Sequence, residues 1–195
     1  MSATFVIPTF LTHYFTDQPF RSLTDLTTAE RARVVQAANF PKTKRRLHSA
    51  FYFEQRLRYE TLMYEQFQAK GGKPTRRRPH YAVLGESEIW AKITKRSLRI
   101  PLSNVSASQV SFTYTDSWPT YVDRDLDGNP IPRKPQYGML YRLDELDKLF
   151  QTHGWPGDRW KTEPDWAHDL YVEAQIWSDD LIQAATARPS KPRKG

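Results

Sequence analysis

Residues 43–70 contain neither glycine nor proline. Leu47, Ala50, Phe51, Leu57 and Leu62 recur there near helical spacing, so the segment is expected to be the longest helix of the chain. Gly71-Gly72 ends it, because glycine accepts the left-handed backbone that closes a helix. Lys73-Pro74-Thr75-Arg76-Arg77-Arg78-Pro79 follows as a basic linker, and its prolines bar it from the middle of a sheet. Before the long helix stand a strand, Phe10-Leu11-Thr12-His13-Tyr14-Phe15, and a capping-box helix opened by Thr27 and Glu30 that should run about ten residues and stop near Asn39 and Pro41. After the linker come short strand-like runs: Tyr81–Leu84, Leu98–Leu102, Gln109–Tyr114 and Gly138–Leu143. A helix over Asp144–His153, capped by Asp144, interrupts them, and a short helix near 179–187 closes the fold. Helices followed by strands with one inserted helix predict an α+β fold with a mostly antiparallel sheet, not an alternating doubly wound one.

The most informative segment for function is Tyr171-Val172-Glu173-Ala174-Gln175-Ile176-Trp177. Strand side chains alternate, so Glu173 and Gln175 share one face while Val172, Ala174 and Ile176 turn to the core. A carboxylate on so apolar a strand needs a partner or has chemistry to perform.

The 195 residues suit one domain, expected over 1–187, with a disordered basic tail at 188–195. No signal-peptide pattern and no run of membrane-spanning length is present, so a cytoplasmic chain without a membrane partner is expected. With no cysteine there is neither a disulfide framework nor a thiolate zinc site. The net charge of +7 is unevenly placed: residues 42–78 carry eleven Lys or Arg against three Glu, and the tail adds four more cations. Such a distribution suits an anionic partner.

Several chemistries find no motif. There is no Walker loop, dinucleotide fingerprint or nucleophile elbow. Asp123-Arg124-Asp125-Leu126-Asp127-Gly128 starts like a calcium loop, but its twelfth position is Lys134 and Pro130 and Pro132 interrupt the helix that should follow. The five histidines form no short-range ligand pair, and no metal site is expected. A metal-dependent nuclease would need Asp116, Asp123, Asp125 or Glu173 to converge on one ion. The long helix interleaves Lys44, Arg45, Arg46, Arg56 and Arg58 with Tyr52, Tyr59 and Tyr64, a mixture of phosphate-binding cations and base-stacking rings. Arg45, Arg46 and Arg56, with Arg76, Arg77 and Arg78 of the linker, are the expected nucleic-acid contacts. A non-catalytic nucleic-acid-binding module is the alternative to an enzyme.

Pro19-Phe20-Arg21-Ser22-Leu23, Pro79-His80-Tyr81-Ala82-Val83-Leu84-Gly85, Ser111-Phe112-Thr113-Tyr114-Thr115-Asp116-Ser117 and Glu173-Ala174-Gln175-Ile176-Trp177 together resemble an uncharacterised bacterial family, across residues 9 to 177. The layout is also similar to ADP-ribosyltransferase toxins that modify nucleic acid. That resemblance implies NAD as substrate, with Thr12 and His13 of the first strand and Tyr114 of a central strand as NAD contacts. It implies Glu173 as the catalytic carboxylate that engages the nicotinamide ribose. A toxin or phage-defence role and a neutralising protein partner would follow from it. The chain departs from the common pattern two residues before Glu173, where Tyr171 stands in place of Gln or Glu, and Gln175 follows instead.

Overall fold

A computed structural model describes residues 6–37, 49–125 and 127–187. Six strands form one antiparallel sheet: β1 (Phe10–Phe15), β2 (His80–Leu84), β3 (Arg96–Pro101), β4 (Val110–Thr113), β5 (Tyr141–Arg142) and β6 (Glu173–Ile176), in the order β3-β1-β2-β6-β4-β5. The helices are α1 (Thr28–Ala37), α2 (Ala50–Ala69), α3 (Glu88–Ile93), α4 (Ser117–Tyr121), α5 (Leu146–His153) and α6 (Asp179–Thr186). The expected α+β class is the observed one, and no described helix is long and apolar enough to cross a membrane.

Local signals act as their chemistry requires. Thr27 and Glu30 form the capping box of α1: the Thr27 N–H donates to Glu30 Oε2 at 2.9 Å and the Glu30 N–H to Thr27 Oγ1 at 3.3 Å. The long helix begins later than its glycine-free sequence suggested. Ser49 has extended backbone, and its hydroxyl accepts the Tyr52 N–H, so α2 starts at Ala50. Residues 43–48, and with them Arg45 and Arg46, lie outside the described residues, as does the 188–195 tail. Asp144 is not the cap of the inserted helix. It pairs with Arg142, and Glu145 instead accepts the Arg142 N–H at 2.7 Å. The strand expected at 138–143 shrinks to Tyr141–Arg142, after a turn through Gly138 at φ 75°.

The Glu173 strand, β6, lies inside the sheet between β2 and β4. Register puts Tyr81, Val83, Ser111, Thr113, Glu173 and Gln175 on one face. α2 covers that face, where the Phe67 ring stacks on Trp177 at 5.8 Å and Glu60 accepts the Tyr81 hydroxyl. The opposite face holds Leu11, Ala82, Leu84, Phe112, Ala174 and Ile176, all buried, and packs under Leu146, Leu149 and Phe150 of α5 and Leu181 and Ala185 of α6. Burial on this scale supplies roughly 25 cal/mol per Å² of apolar area removed from water. Both faces of β6 are covered, so Gln175 is as buried as Ala174 and Ile176, and Glu173 keeps only a small exposed fraction.

One seam of the sheet does not close. β1 pairs with β3 over six residues, down to Phe15↔Arg96. Its ladder with β2 stops after Leu11↔Leu84 and Thr12↔Val83, although β2 continues along β6 to His80↔Ile176. Beyond Thr12 the two strands part, and the His13 ring bridges the gap: Nδ1–H donates to the Tyr81 carbonyl at 2.7 Å, and Nε2 accepts the Phe20 N–H at 2.8 Å. Those partners assign the neutral Nδ1–H tautomer. Phe20 lies flat on the imidazole at 4.2 Å and takes a φ of 53°, rare for a residue with a side chain.

Candidate active site

The open seam leads to a cleft of about 880 Å³. Thr12 and Tyr14 of β1, Tyr81 and Val83 of β2, and Glu173 of β6 contribute to its sheet side. Tyr52, Arg56 and Tyr59 of α2 face them, and Asp116, Trp118, Tyr171 and Trp90 complete the wall. The Tyr52 ring is stacked on Trp118 at 5.0 Å, and Trp90 meets Tyr171 edge-on at 6.3 Å, so the walls are aromatic. Arg21, Arg33, Lys92 and Lys95 add cations to the lining.

The turn after β4 determines the environment of Glu173. Asp116 caps α4 by accepting the Trp118 N–H at 2.7 Å on Oδ1, and its Oδ2 accepts the Tyr171 hydroxyl at 2.7 Å. That cap aims both donors of Ser117 at Glu173: the backbone N–H reaches Oε2 at 3.1 Å, and the hydroxyl contacts the same oxygen closely. Gln175 Nε2 approaches Oε2 at 3.4 Å. Gln175 is held in turn by donating to Thr113 Oγ1 and accepting from Ser111 Oγ, each at 3.0 Å. Three donors thus converge on Oε2, and Oε1 is left to the cleft. Burial and the neighbouring Asp116 carboxylate push the Glu173 pKa up to about 8, against the opposing pull of Ser117 and Arg56. Near neutral pH the side chain carries a proton, and Oε1 is the oxygen free to hold it.

The expected site residues separate by strand parity. Glu173, Thr12 and Arg56 line the same cleft. Thr12 is buried, and its hydroxyl donates to the Gly85 carbonyl, which ties β1 to the end of β2. His13 also borders the cleft, but both ring nitrogens are engaged. Burial lowers its pKa to about 4, although the Tyr81 carbonyl opposes that shift, so it is a neutral strut between strands. Tyr114 is turned away altogether. It follows Phe112 to the opposite face, is fully buried, and donates its hydroxyl to the carbonyls of His153 and Gly154 at 3.0 and 2.9 Å. Neither His13 nor Tyr114 offers a free polar atom to NAD, which corrects their expected role.

The arginine linker is not a free basic surface. Arg76 ion-pairs with Asp25 and Asp179, the latter at 2.9 Å. The Arg77 guanidinium lies 4.6 Å over the Tyr64 ring. Arg78 donates to the Leu57 carbonyl at 3.0 Å and to Thr61 at 3.2 Å. Together they clasp the segment before β2 to α2 and α6. The would-be calcium loop is a turn: Asp125 accepts the Asp127 and Asn129 N–H groups, with Gly128 at φ 83°. No cluster of three metal-ligating side chains occurs among the described residues.

Ser117, Glu60 and Tyr171 are central to the site without having stood out in the sequence as functional residues, and Asp116 stood out there only as a possible nuclease metal ligand. The one available signal was Asp116-Ser117 directly after the alternating strand 109–114, an N-cap pattern placed at a strand end. No protein-family model, curated protein or solved structure matches the chain.

Proposed function

We propose that the protein is an ADP-ribosyltransferase-like enzyme that takes NAD as substrate and acts on nucleic acid. One observation carries the reading: a buried Glu173, its pKa pushed up, in the lining of an aromatic cleft, with Asp116 beside it and a guanidinium from α2 on the facing wall. The cleft has a carboxylate pole and a cationic pole. NAD has the complementary pair, a pyridinium on its nicotinamide ribose and a negatively charged diphosphate.

The chemistry follows from charge. A pyridinium ribose arriving over Glu173 favours the ionised carboxylate, so binding drives the Oε1 proton to solvent. As the bond between C1′ and the nicotinamide nitrogen breaks, its electron pair leaves with neutral nicotinamide. Positive charge grows on the ribose, where the Glu173 and Asp116 carboxylates stabilise it. The acceptor forms the new bond to C1′ and gives up its proton, which Glu173 is placed to take. Tyr171 holds Asp116 in place through the 2.7 Å hydrogen bond.

A nucleic-acid acceptor is supported by the net charge of +7 and by the cations Arg21, Arg33, Lys92 and Lys95 in the lining of the cleft. A toxin or defence effector held in check by a neutralising protein, in the cytoplasm, is the setting we propose for such an activity.

The test is incubation with NAD labelled in its ADP-ribose part and a pool of RNA, single-stranded DNA and protein. Wild type should transfer label to nucleic acid, and Glu173→Gln should not. Equal labelling by the two proteins, or none by wild type although nucleic acid still binds, refutes the assignment. The second result would leave a binding module.

A further inference from the structure

Arg56 is held more rigidly than a surface cation needs to be. Its Nε donates to Glu60 Oε1 at 2.9 Å, and its Nη1 donates to the Tyr52 hydroxyl at 3.0 Å. The guanidinium lies 4.5 Å from the centre of the Tyr81 ring. The Tyr81 hydroxyl donates to the same Glu60 oxygen at 2.8 Å. Among the described residues Nη2 has no hydrogen-bond partner, and Arg56 lines the cleft with 15% of its side chain exposed.

Glu60 is fully buried, and its Oε2 is a buried side-chain oxygen without a hydrogen bond; Arg78 Nε lies 3.8 Å away. One carboxylate therefore serves two guanidiniums. Around Glu60 the guanidiniums outnumber the carboxylate, so this wall of the cleft is cationic and suits an anion. The unpartnered Nη2 carries two N–H groups, which can donate to oxygens of a phosphate.

We propose that Arg56 is the diphosphate-binding residue of this cleft and that Glu60 is its positioning residue, with Tyr81 and Tyr52 fixing the plane of the guanidinium. The naming of a diphosphate rests on the reading of the cleft as a dinucleotide site; the anion subsite itself needs no catalysis. Tyr52, stacked on Trp118, lies next to this subsite and offers a flat partner for a ring attached to the phosphates.

The experiment is calorimetric titration of the whole chain with ADP and with adenosine, at low and at high salt. Wild type should prefer ADP by about tenfold or more, with the gap narrowing as salt screens the charge. Glu60→Gln should lower ADP affinity and leave adenosine unchanged. In turnover it should raise KM for NAD at an unchanged kcat. Removing one charge alone risks misfolding, so Arg56→Met combined with Glu60→Gln provides the second variant: it removes both members of the Arg56–Glu60 pair, Arg78 keeps its hydrogen bonds to Leu57 and Thr61, and the protein should melt near wild type. It should bind ADP no better than adenosine. A double variant that keeps the ADP preference, or a wild type without one, overturns the subsite. If the preference depends on Arg56 but NAD is never consumed, the subsite stands and the transferase reading falls. If NAD turnover is normal in the double variant, the reverse holds.

Discussion

Replacing Glu173 with glutamine should alter how stability depends on pH. The carboxyl pKa is about 8 in the folded chain and near 4.5 when unfolded, because burial and Asp116 both penalise the charge. Between those values the folded protein holds a proton that the unfolded chain has released. Stability is therefore greatest on the acid side of that window and falls as pH rises toward 8, by up to about 1.4 kcal/mol per pH unit. His13 and His80 work in the opposite sense. Their folded pKa values are lowered from 6.5 to about 4 and about 3, so they cost stability as pH drops through 6.5. From pH 6.5 to 8 Glu173 should cost the fold about 1.6 kcal/mol, while the two histidines, half-protonated in the unfolded chain at 6.5, return about 0.4 kcal/mol each; the difference between wild type and variant isolates Glu173. Glutamine keeps the shape and an oxygen for the Ser117 donors but cannot titrate, so the variant should show no such loss. Urea unfolding of both proteins at three pH values in that interval measures the difference. Parallel curves would mean that Glu173 is ionised throughout and that the proton-bearing oxygen assigned to the cleft does not exist.

Other consequences are equally direct. Arg76→Ala removes the cation shared by Asp25 and Asp179 and should cost no more than about 1 kcal/mol by denaturant unfolding, because water reaches both carboxylates; the salt slope of nucleic-acid binding should stay as it is, because Arg76 is already paired. Gly85→Ala places a methyl 2.7 Å from Pro8 Cγ at a φ of 78°, so it should destabilise by about 1–3 kcal/mol and disturb the Thr12 contact at the head of the cleft; an unchanged melting temperature would show that this corner is loosely held. His80→Phe keeps a ring against Phe20 but removes one titrating group, so the acid limb of the stability profile between pH 4 and 6 should become shallower by about 1.4 kcal/mol per pH unit; an equal slope would place the acid sensitivity elsewhere.

Much of the fold is written in local pattern. The alternating run 109–114, the capping box at Thr27 and the Glu173 strand all stand where periodicity and side-chain chemistry place them. The site was only half legible. Thr12 and His13 are neighbours on one strand, so alternation alone forbids both from facing Glu173 in the same way. The same rule puts Tyr114 with Phe112 rather than with Ser111 and Thr113, and the structure follows it. What alternation cannot supply is the pairing of distant segments. Glu173 meets Ser117 across 56 residues, and Glu60 meets Tyr81 across 21. The central place of β6, which raises the Glu173 pKa, follows from strand order, and nothing in residues 171–177 encodes that order. The linker arginines misled for a related reason. A run of cations reads as a surface until its counter-charges, Asp25 and Asp179, are brought in from 51 and 103 residues away.

The measurement that bears most directly on the central claim is a crystal structure of Glu173→Gln soaked with NAD. The nicotinamide ribose should lie over residue 173 beside Asp116, with the diphosphate on Arg56. A dinucleotide bound elsewhere, or a cleft that stays empty at saturating NAD, would contradict it.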